Sequence, residues 1–195
     1  SSRFPGKPLV AIGGRPMIEH VYRGTVACPL LDEVVVATCD DEIARAAAGF
    51  GARAVMTSAA HERASDRVAE VCERLGADIA VMVQGDEPMV QPEMVAAAAG
   101  PLLADPRMAC VNLAAAIHTE AEGLDPNTIK VAISRSGHAL YFSRSAIPAR
   151  FVPGAMTKQV CVIAFRRNAL RQFTQLPQGP LERAESIDML RFLEN

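Results

Sequence analysis

The N-terminal segment Ser1–Leu9 combines two cations with a Pro-Gly bend, in the order Ser-Ser-Arg-Phe-Pro-Gly-Lys-Pro-Leu. Arg3 can bind phosphate oxygens through two parallel hydrogen bonds, and Lys7 supplies a mobile point charge. Gly6 lets the backbone approach a ligand closely because it has no Cβ. The pattern suits a triphosphate, although a solvated N-terminal arm would have the same composition.

The segment Gln84–Pro88, Gln-Gly-Asp-Glu-Pro, places two carboxylates directly after the apolar run Ile79–Val83. That run is rich in β-branched residues and short for a helix, so it predicts a buried strand. Ligands of open α/β sheets bind at the carboxyl ends of strands. Asp86 at that position can ligate Mg²⁺, which prefers hard oxygen ligands and bridges to phosphates. An ordinary polar turn is the alternative interpretation.

Two further polar segments carry weaker signals. Ser65, Asp66 and Arg67 lie near the start of a predicted helix, where a simple helix cap explains them as well as a ligand site does. Arg144 lies between two serines after a short predicted strand, a setting in which its guanidinium could bind a carboxylate. Neither segment identifies a function by itself.

The C-terminal region presents three acids at a spacing of three residues, Glu182, Glu185 and Asp188. On one continuous helix, this spacing places them on the same face, and a solvated acidic face is the plainer interpretation. No histidine shows ligand spacing or pairs with a nucleophile, so none is expected to be catalytic. The four histidines are His20, His61, His118 and His138.

Strand and helix signals alternate along the chain, which predicts βαβ units and a mainly parallel sheet. The predicted strands are 33–38, 53–56, 79–83, 108–113, 128–133, 139–142 and 160–165. The predicted helices are 16–27, 42–50, 64–75, 92–103 and 181–193. The stretch 123–153 is denser in turns and short strands, which favours an antiparallel lobe beside the sheet.

Composition argues against several classes of protein. Half of the 195 residues are hydrophobic and Trp is absent, which suits a sheet wrapped in Ala-rich helices. The chain has 20 basic and 22 acidic residues and no basic tract, so no nucleic-acid partner is expected. No apolar run reaches about 18 residues, and no signal peptide is recognisable, so we expect a cytoplasmic protein without a membrane segment. Five scattered cysteines predict reduced core thiols rather than disulfides or a zinc site.

Seven blocks of the sequence resemble, in order, the 3-deoxy-manno-octulosonate cytidylyltransferases, or CMP-KDO synthetases, where KDO is 3-deoxy-manno-octulosonate. The most specific blocks are the Pro-Gly-Lys loop ending at Lys7 and Val-Gln-Gly-Asp-Glu-Pro at Val83–Pro88. The other five blocks are Val-Ala-Thr38 with a following Asp, Ser65–Glu70, Pro126–Val131, Tyr141–Arg144 with Ile147–Pro148, and Pro180–Glu182. The resemblance covers nearly the whole chain.

The resemblance implies an α/β, Rossmann-like nucleotidyltransferase fold, with a mainly parallel sheet flanked by helices and a small antiparallel dimerisation lobe. It also implies a homodimer that uses CTP, a sugar acid and Mg²⁺ in lipopolysaccharide or capsule biosynthesis. By residue match, the expected catalytic groups are Arg3 and Lys7 on the triphosphate and Asp86 on the metal. Further nucleotide contacts are expected from Ser65, Asp66, Arg67 and Gln84. The expected sugar contacts are Gln84, Arg144, Gln159, Glu182 and Glu185.

The chain departs from the family pattern at both ends and in one strand. We expect residues 1–195 to form a single nucleotidyltransferase domain that lacks the family's first strand and its C-terminal metal-ligand segment. Gln159 and Ile163 stand where the family has a His and a Tyr near the sugar. Transfer to a related acid is therefore one alternative. The others are a non-catalytic nucleotide-binding homologue and a nucleotidyltransferase with another NTP and acceptor. A dehydrogenase is not expected, because the chain lacks G-x-G-x-x-G.

Overall fold

The computed structural model describes residues 6–152 and 154–195. Contacts divide the chain into two compact units. The first unit contains the described residues up to Val111 together with Cys161–Arg171, and the second contains Asn112–Val160 and Gln172–Asn195. Arg3 of the predicted phosphate loop lies outside the described residues. Its proposed contact with the triphosphate therefore stays a prediction from sequence.

Helices and strands alternate through most of the chain. Up to Ala104 the elements are β1 (Ala11–Ile12), β2 (Arg15–Pro16), α1 (Met17–Val26), β3 (Val35–Thr38), α2 (Asp41–Gly49), β4 (Arg53–Met56), α3 (Ala64–Leu75), β5 (Ile79–Val83) and α4 (Pro92–Ala104). After it come β6 (Cys110–Ala116), α5 (Glu120–Leu124), β7 (Lys130–Ile133), β8 (Ala139–Ser143), β9 (Thr157–Arg166), α6 (Arg167–Gln175), α7 (Pro180–Glu185) and α8 (Leu190–Glu194). The predicted α/β class is confirmed. Among the strand pairings described, β3 with β4 is parallel as predicted, whereas β5 with β9 and β7 with β8 are antiparallel.

The first unit contains a parallel crossover, β3–α2–β4. Val36 of β3 pairs with Ala54 of β4 in parallel register. Helix α2 begins after Asp40, because the carboxylate of Asp40 accepts hydrogen bonds from the amides of Glu42 (2.8 Å) and Ile43 (3.3 Å). The apolar faces enclose a small core, which consists of Val36, Ala47 and Ala52 with Ile18, Tyr22, Ile43 and Phe50 packed against it.

Strand β5 pairs antiparallel with the C-terminal half of β9, from Ile79 opposite Arg166 to Val83 opposite Val162. Burial explains why both strands are apolar. Ile163, for example, lies opposite Met82 and is only 2% exposed. The pairing ends where Gln84 begins the polar turn. Asp86, the metal ligand predicted from the sequence, therefore follows shortly after a strand end that is paired with β9.

The second unit contains the predicted antiparallel hairpin. Val131 of β7 pairs with Phe142 of β8, and both side chains are buried. Gly137 lies in the connecting turn with a φ of 84°, a left-handed conformation that glycine adopts without strain. Lys130 at the start of β7 also lies opposite Lys158 of β9. The hairpin carries the Tyr141–Arg144 block at the end of β8.

The predicted helix 181–193 is wrong as a single element. The structure contains two short helices, α7 and α8, and Ser186 between them has a φ of 54°. The break lets Ile187, Met189 and Leu190 enter the core, which a continuous helix with one apolar face would not allow. Helix α6 was not predicted, because it offers few apolar positions for a periodic pattern, chiefly the buried Leu170 and Phe173.

Hydropathy gives one further result. Among the helices of residues 6–152 and 154–195, none combines the length and the apolar character needed to cross a bilayer.

Of the cysteines predicted to be core thiols, Cys28 and Cys72 are buried, whereas Cys39 is exposed.

Candidate active site

The turn after β5 is held tightly at its base. The amide of Gln84 donates to the carbonyl of Cys161 on β9 (3.4 Å), and the amide of Glu87 donates back to the carbonyl of Gln84 (3.1 Å). Gly85 packs closely, since a Cβ added there would lie 3.1 Å from Ile18 Cδ1. The turn therefore carries the next residue, Asp86, on a backbone that is hydrogen-bonded on both sides of it.

Asp86 meets the loop that carries Lys7, 79 residues earlier in the chain. The distance from Lys7 Nζ to Asp86 Oδ2 is 2.6 Å, and both side chains are 38% exposed. Gly6 precedes Lys7 in a left-handed conformation with a φ of 73°, and a short 3₁₀ turn, Lys7–Leu9, follows. An ion pair this exposed contributes little to folding, so an incoming phosphate or cation can separate it at small cost.

Glu87 gives the same turn a second carboxyl group in a different environment. Burial raises the pKa of Glu87, and the neighbouring charge of Asp86 raises it further. A hydrogen bond with Cys161 and the charge of Lys7 act in the opposite direction. The two adjacent acids therefore differ: Asp86 is exposed and paired with a cation, whereas Glu87 is half-buried against β9.

The donor set of this turn fits Mg²⁺ of the kind that is held jointly with a substrate. No group of three His, Cys, Asp or Glu side chains within the described ranges is placed to hold a metal ion by itself. Mg²⁺ is usually bound by one or two carboxylates, several waters and substrate phosphates rather than by a complete protein cage. Asp86, a half-exposed carboxylate beside the cationic Lys7, matches that requirement.

The predicted nucleotide-binding residues of α3 lie in the first unit with different degrees of burial. Ser65 is fully buried, and Asp66 is half-buried in the first turn of the helix. Arg67 donates to the hydroxyl of Thr57 and to the carbonyl of Ser58 (3.4 Å), so it binds the loop that precedes α3. The structure thus shows an anchoring contact for Arg67 that sequence reasoning missed.

Arg144 and Glu185, predicted to face the sugar, are bonded to each other in the second unit. The backbone amide of Arg144 donates to Glu185 Oε2 (2.7 Å), and its guanidinium donates to the carbonyls of Glu185 (2.7 Å), Pro126 (3.0 Å) and Ser186 (3.4 Å). Glu185 Oε1 accepts from Ser143 (2.9 Å). Both side chains therefore hold the turn after α7 in place.

Glu182 does not lie on a solvated acidic face, as the spacing of three had suggested. Its carboxylate forms a two-point ion pair with Arg191, with distances of 2.6 and 2.8 Å, and the two side chains are 0% and 4% exposed. The Arg191 guanidinium also lies 4.6 Å from the ring centre of Phe173. The break between α7 and α8 brings Glu182 and Arg191 together, and no local spacing in the sequence indicates it.

Gln159 on β9 is bonded to a second amide side chain. Gln159 Nε2 donates to Asn112 Oδ1 (2.6 Å), while Asn112 Nδ2 donates to the carbonyls of Leu113 (2.8 Å) and Val160 (3.0 Å). These two carbonyls require the Asn112 nitrogen on their side, so its oxygen faces Gln159. Sequence reasoning identified Gln159 but not its partner.

Lys130, which sequence reasoning named only within the block Pro126–Val131, is a buried charge. It is 0% exposed, and its Nζ donates to the carbonyls of Asp125 (2.8 Å) and Arg144 (2.5 Å). Burial lowers the pKa of Lys130, and the nearby charges of Asp125 and Glu185 partly oppose this effect. The lysine ties the loop before β7 to the end of β8.

The second unit also contains a cavity of about 290 Å³. Its lining includes Leu124, Arg150, Phe151 and Met156. Within the described part of the chain, none of the predicted sugar-binding residues of this unit belongs to that lining.

Comparison with known proteins gives consistent results at the level of sequence. The family model described as cytidylyltransferase matches residues 1–195. A 3-deoxy-manno-octulosonate cytidylyltransferase of Geobacter sulfurreducens is 45% identical over all of this chain and 83% of the relative. The protein of the same name from Geobacter metallireducens is 44% identical over all of this chain and 82% of the relative.

Solved structures agree with this result. A CMP:2-keto-3-deoxy-manno-octonic acid synthetase complexed with CTP is 41% identical and has a TM-score of 0.90, over all of this chain and 81% of that structure. A cytidylyltransferase from Leptospira borgpetersenii shares 16% identity with a TM-score of 0.62, over 98% of this chain and 66% of that structure. The second likeness shows the fold alone.

Proposed function

The chain belongs to the 3-deoxy-manno-octulosonate cytidylyltransferase family, and we propose that it transfers the cytidylyl group of CTP to KDO, releasing pyrophosphate and forming CMP-KDO. The single observation that carries the proposal is the exposed Lys7–Asp86 pair at the carboxyl end of β5. A cation for phosphate and a carboxylate for Mg²⁺ lie side by side there, in the order along the chain that the family pattern implies.

The reaction is an in-line displacement in which the anomeric hydroxyl of the sugar acid attacks the α-phosphorus of CTP. The protein contributes mainly by positioning the reactants and by neutralising charge. Lys7 leaves Asp86 for the phosphates and stabilises the charge that develops on the departing pyrophosphate. Arg3, by family match, grips the same phosphates bidentately.

Asp86 is the protein ligand that we assign to Mg²⁺, together with phosphate oxygens of the substrate. When bound, the ion would polarise the α-phosphate and neutralise charge on the leaving group. The hydrogen-bonded turn at Gln84 keeps Asp86 beside Lys7, so the carboxylate needs no rearrangement of the backbone to serve as a ligand.

For the nucleotide, we assign by family match Ser65, Asp66 and Arg67 to the region around the cytosine, and Gln84 as a further contact. For the sugar acid, we assign Gln84, Gln159, Arg144, Glu182 and Glu185. Glu182 is fully occupied by Arg191, so we expect it to act by fixing α7 rather than by direct contact. Because Gln159 Nε2 already donates to Asn112 Oδ1, we expect Gln159 Oε1 to accept a hydrogen bond from a hydroxyl of the acid.

The wider setting follows from the proposed reaction. CMP-KDO is an activated sugar, which suits a role in lipopolysaccharide or capsule biosynthesis. We further propose that the protein acts in the cytoplasm as a homodimer.

The test is pyrophosphate release by the purified protein with each of several nucleotide and acid pairs. We expect release only with CTP, Mg²⁺ and KDO together, and little with UTP or with acids that lack the KDO carbon skeleton. No release with any pair by a folded protein that binds CTP would favour the non-catalytic alternative. Equal release with UTP would favour the alternative of another NTP.

A second candidate substrate is a related acid, favoured by the amide pair of Gln159 and Asn112. An amide oxygen recognises a hydrogen-bond donor, and the imidazole that the family carries there can serve either as donor or as acceptor. If CTP is turned over faster with another octulosonic or nonulosonic acid than with KDO, the chemistry stands and the acid changes. If KDO is the best acceptor, the Gln159 change is neutral for specificity.

A further inference from the structure

The loop between β4 and α3, residues 57–63, is held by two side chains of α3, the carboxylate of Glu70 and the guanidinium of Arg67. We infer that Glu70 is a positioning residue for the nucleobase, because it fixes this loop in the shape that distinguishes cytosine from uracil. The inference rests on the proposed function, since it takes the start of α3 as the place where the base of CTP lies.

Glu70 binds three partners around the loop. Glu70 Oε2 accepts from the amide of Ser58 (2.9 Å) and lies 2.5 Å from His61 Nε2, while Oε1 pairs with Arg74. Arg74 in turn donates to the carbonyl of Met56 at the end of β4 (2.6 Å). One half-buried side chain on α3 thus connects the beginning and the middle of the loop to the helix.

Two further contacts hold the other side of the loop. Thr57 donates its amide (2.8 Å) and its hydroxyl (3.1 Å) to the carbonyl of Thr38, the last residue of β3. Arg67 donates to the Thr57 hydroxyl and the Ser58 carbonyl. The loop is therefore attached both to α3 and to the carboxyl end of a parallel strand, the edge at which open α/β sheets bind ligands.

Main-chain groups of the loop, together with the Asp66 carboxylate in the first turn of α3, remain for recognition of a base. His61 and Arg67 are bonded within the loop and α3, and Ser65 is buried. Cytosine and uracil differ where one carries an amino donor and the other a carbonyl acceptor. Only an acceptor held in a fixed place rejects the wrong base, because a loop that can rotate its peptides offers an N–H instead. A loop held in one conformation therefore maintains the preference for cytosine over uracil.

The charge state of Glu70 agrees with this role. The pKa of Glu70 is lowered chiefly by the hydrogen bond from the Ser58 amide and then by His61, against the effect of burial. The carboxylate therefore stays ionised at neutral pH and keeps both oxygens as acceptors.

The experiment compares CTP with UTP in the full chain, by kcat/KM for pyrophosphate release and by calorimetric binding of each nucleotide. The variants are Glu70→Ala, which removes the acceptors, and Glu70→Gln, which keeps one acceptor without the charge. Glu73→Gln is the matched control, because Glu73 lies on the exposed side of the same helix. We expect Glu70→Ala to lower the preference for CTP over UTP about tenfold or more, Glu70→Gln less, and Glu73→Gln not at all.

An unchanged preference in Glu70→Ala, with only a lower melting temperature, would overturn the inference and leave Glu70 a structural role. If Glu70→Ala does not fold, His61→Ala opens the same contact from the loop side, and the same ratio decides the question. A wild-type protein that binds CTP over UTP but releases no pyrophosphate would contradict the proposed function alone. A catalytic wild type whose preference survives in every variant would contradict the inference alone.

Discussion

The two units of the chain use their charged residues in opposite ways. In the first unit, Lys7 and Asp86 form a half-exposed pair on loops at a strand end. In the second unit, Glu182 and Arg191 form a pair that is almost completely buried. An exposed pair adds little to stability and is easily exchanged for a ligand, whereas a buried pair is costly to break. The exposed pair suits a site where a ligand binds, and the buried pair suits a place where the backbone must be held in one conformation.

The replacement Asp86→Asn gives the largest effect that we expect from this contrast. If Asp86 is the metal ligand that we propose, loss of its charge should lower kcat by about a thousandfold, or about 4 kcal/mol of transition-state free energy. Stability should change by less than about 1 kcal/mol, because the pair with Lys7 is exposed. Pyrophosphate release and chemical denaturation measure the two quantities.

The matched control is Glu33→Gln, which breaks another exposed ion pair of the first unit, with Arg53 at 2.5 Å. We expect it to leave turnover unchanged. Turnover of Asp86→Asn equal to that of the control would remove Asp86 from the metal site.

The replacement Glu182→Leu should have the opposite profile. It leaves Arg191 buried without its partner, so the free energy of unfolding should fall by about 3 kcal/mol. The double replacement Glu182→Leu with Arg191→Met removes both charges and should restore most of the loss. Urea denaturation of the three proteins measures this coupling. Additive losses in the double variant would show that the pair itself is not responsible.

The replacement Lys7→Ala tests the first unit from the cationic side. Loss of the charge that we propose binds phosphate should lower kcat/KM for CTP about a hundredfold, while the free energy of unfolding changes by less than about 1 kcal/mol. Lys7→Arg keeps the charge and should recover part of the rate. A loss of stability as large as the loss of rate would argue that Lys7 is structural.

The smallest expected effect concerns the buried Lys130 of the second unit and depends on pH. Its pKa in the folded protein lies below the ordinary lysine value of 10.5, because burial penalises the charged form. Between the folded pKa and 10.5 the unfolded chain binds more protons, so stability should rise with pH in that window. Lys130→Met has no titrating group at this position. The unfolding free energy of the wild type minus that of the variant should therefore increase as pH approaches 10.5. A difference that falls over this window would contradict the burial of a charged Lys130.

The contrast also separates what sequence could and could not predict. The strand Ile79–Val83, the turn with Asp86 and the helix Ala64–Leu75 follow from local patterns, and the structure contains them with the same bounds. The contact between Lys7 and Asp86 was not predicted, since no local rule joins residues 79 positions apart. Family resemblance had assigned only their separate roles, Lys7 on the triphosphate and Asp86 on the metal.

The second unit contains the predicted hairpin, but its buried polar contacts resisted prediction because tertiary structure sets them. A spacing of three suggested one acidic helical face, but the left-handed Ser186 ends α7 and allows Glu182 to meet Arg191. Burial of Lys130 depends on carbonyls from two separate loops, and neither is visible from its neighbours in sequence. Elements defined by local periodicity were predicted, and those defined by buried polar contacts were not.

The most direct test of the central claim follows the phosphorus atoms of CTP. CTP labelled at the α-phosphate and CTP labelled at the γ-phosphate are each incubated with the wild-type protein, Mg²⁺ and KDO, and the products are separated. We predict that the α-label appears in the sugar product and the γ-label in pyrophosphate, because the acid attacks the α-phosphorus. Label from the γ-position in the sugar product, or no labelled sugar from a folded protein that binds CTP, would contradict the account.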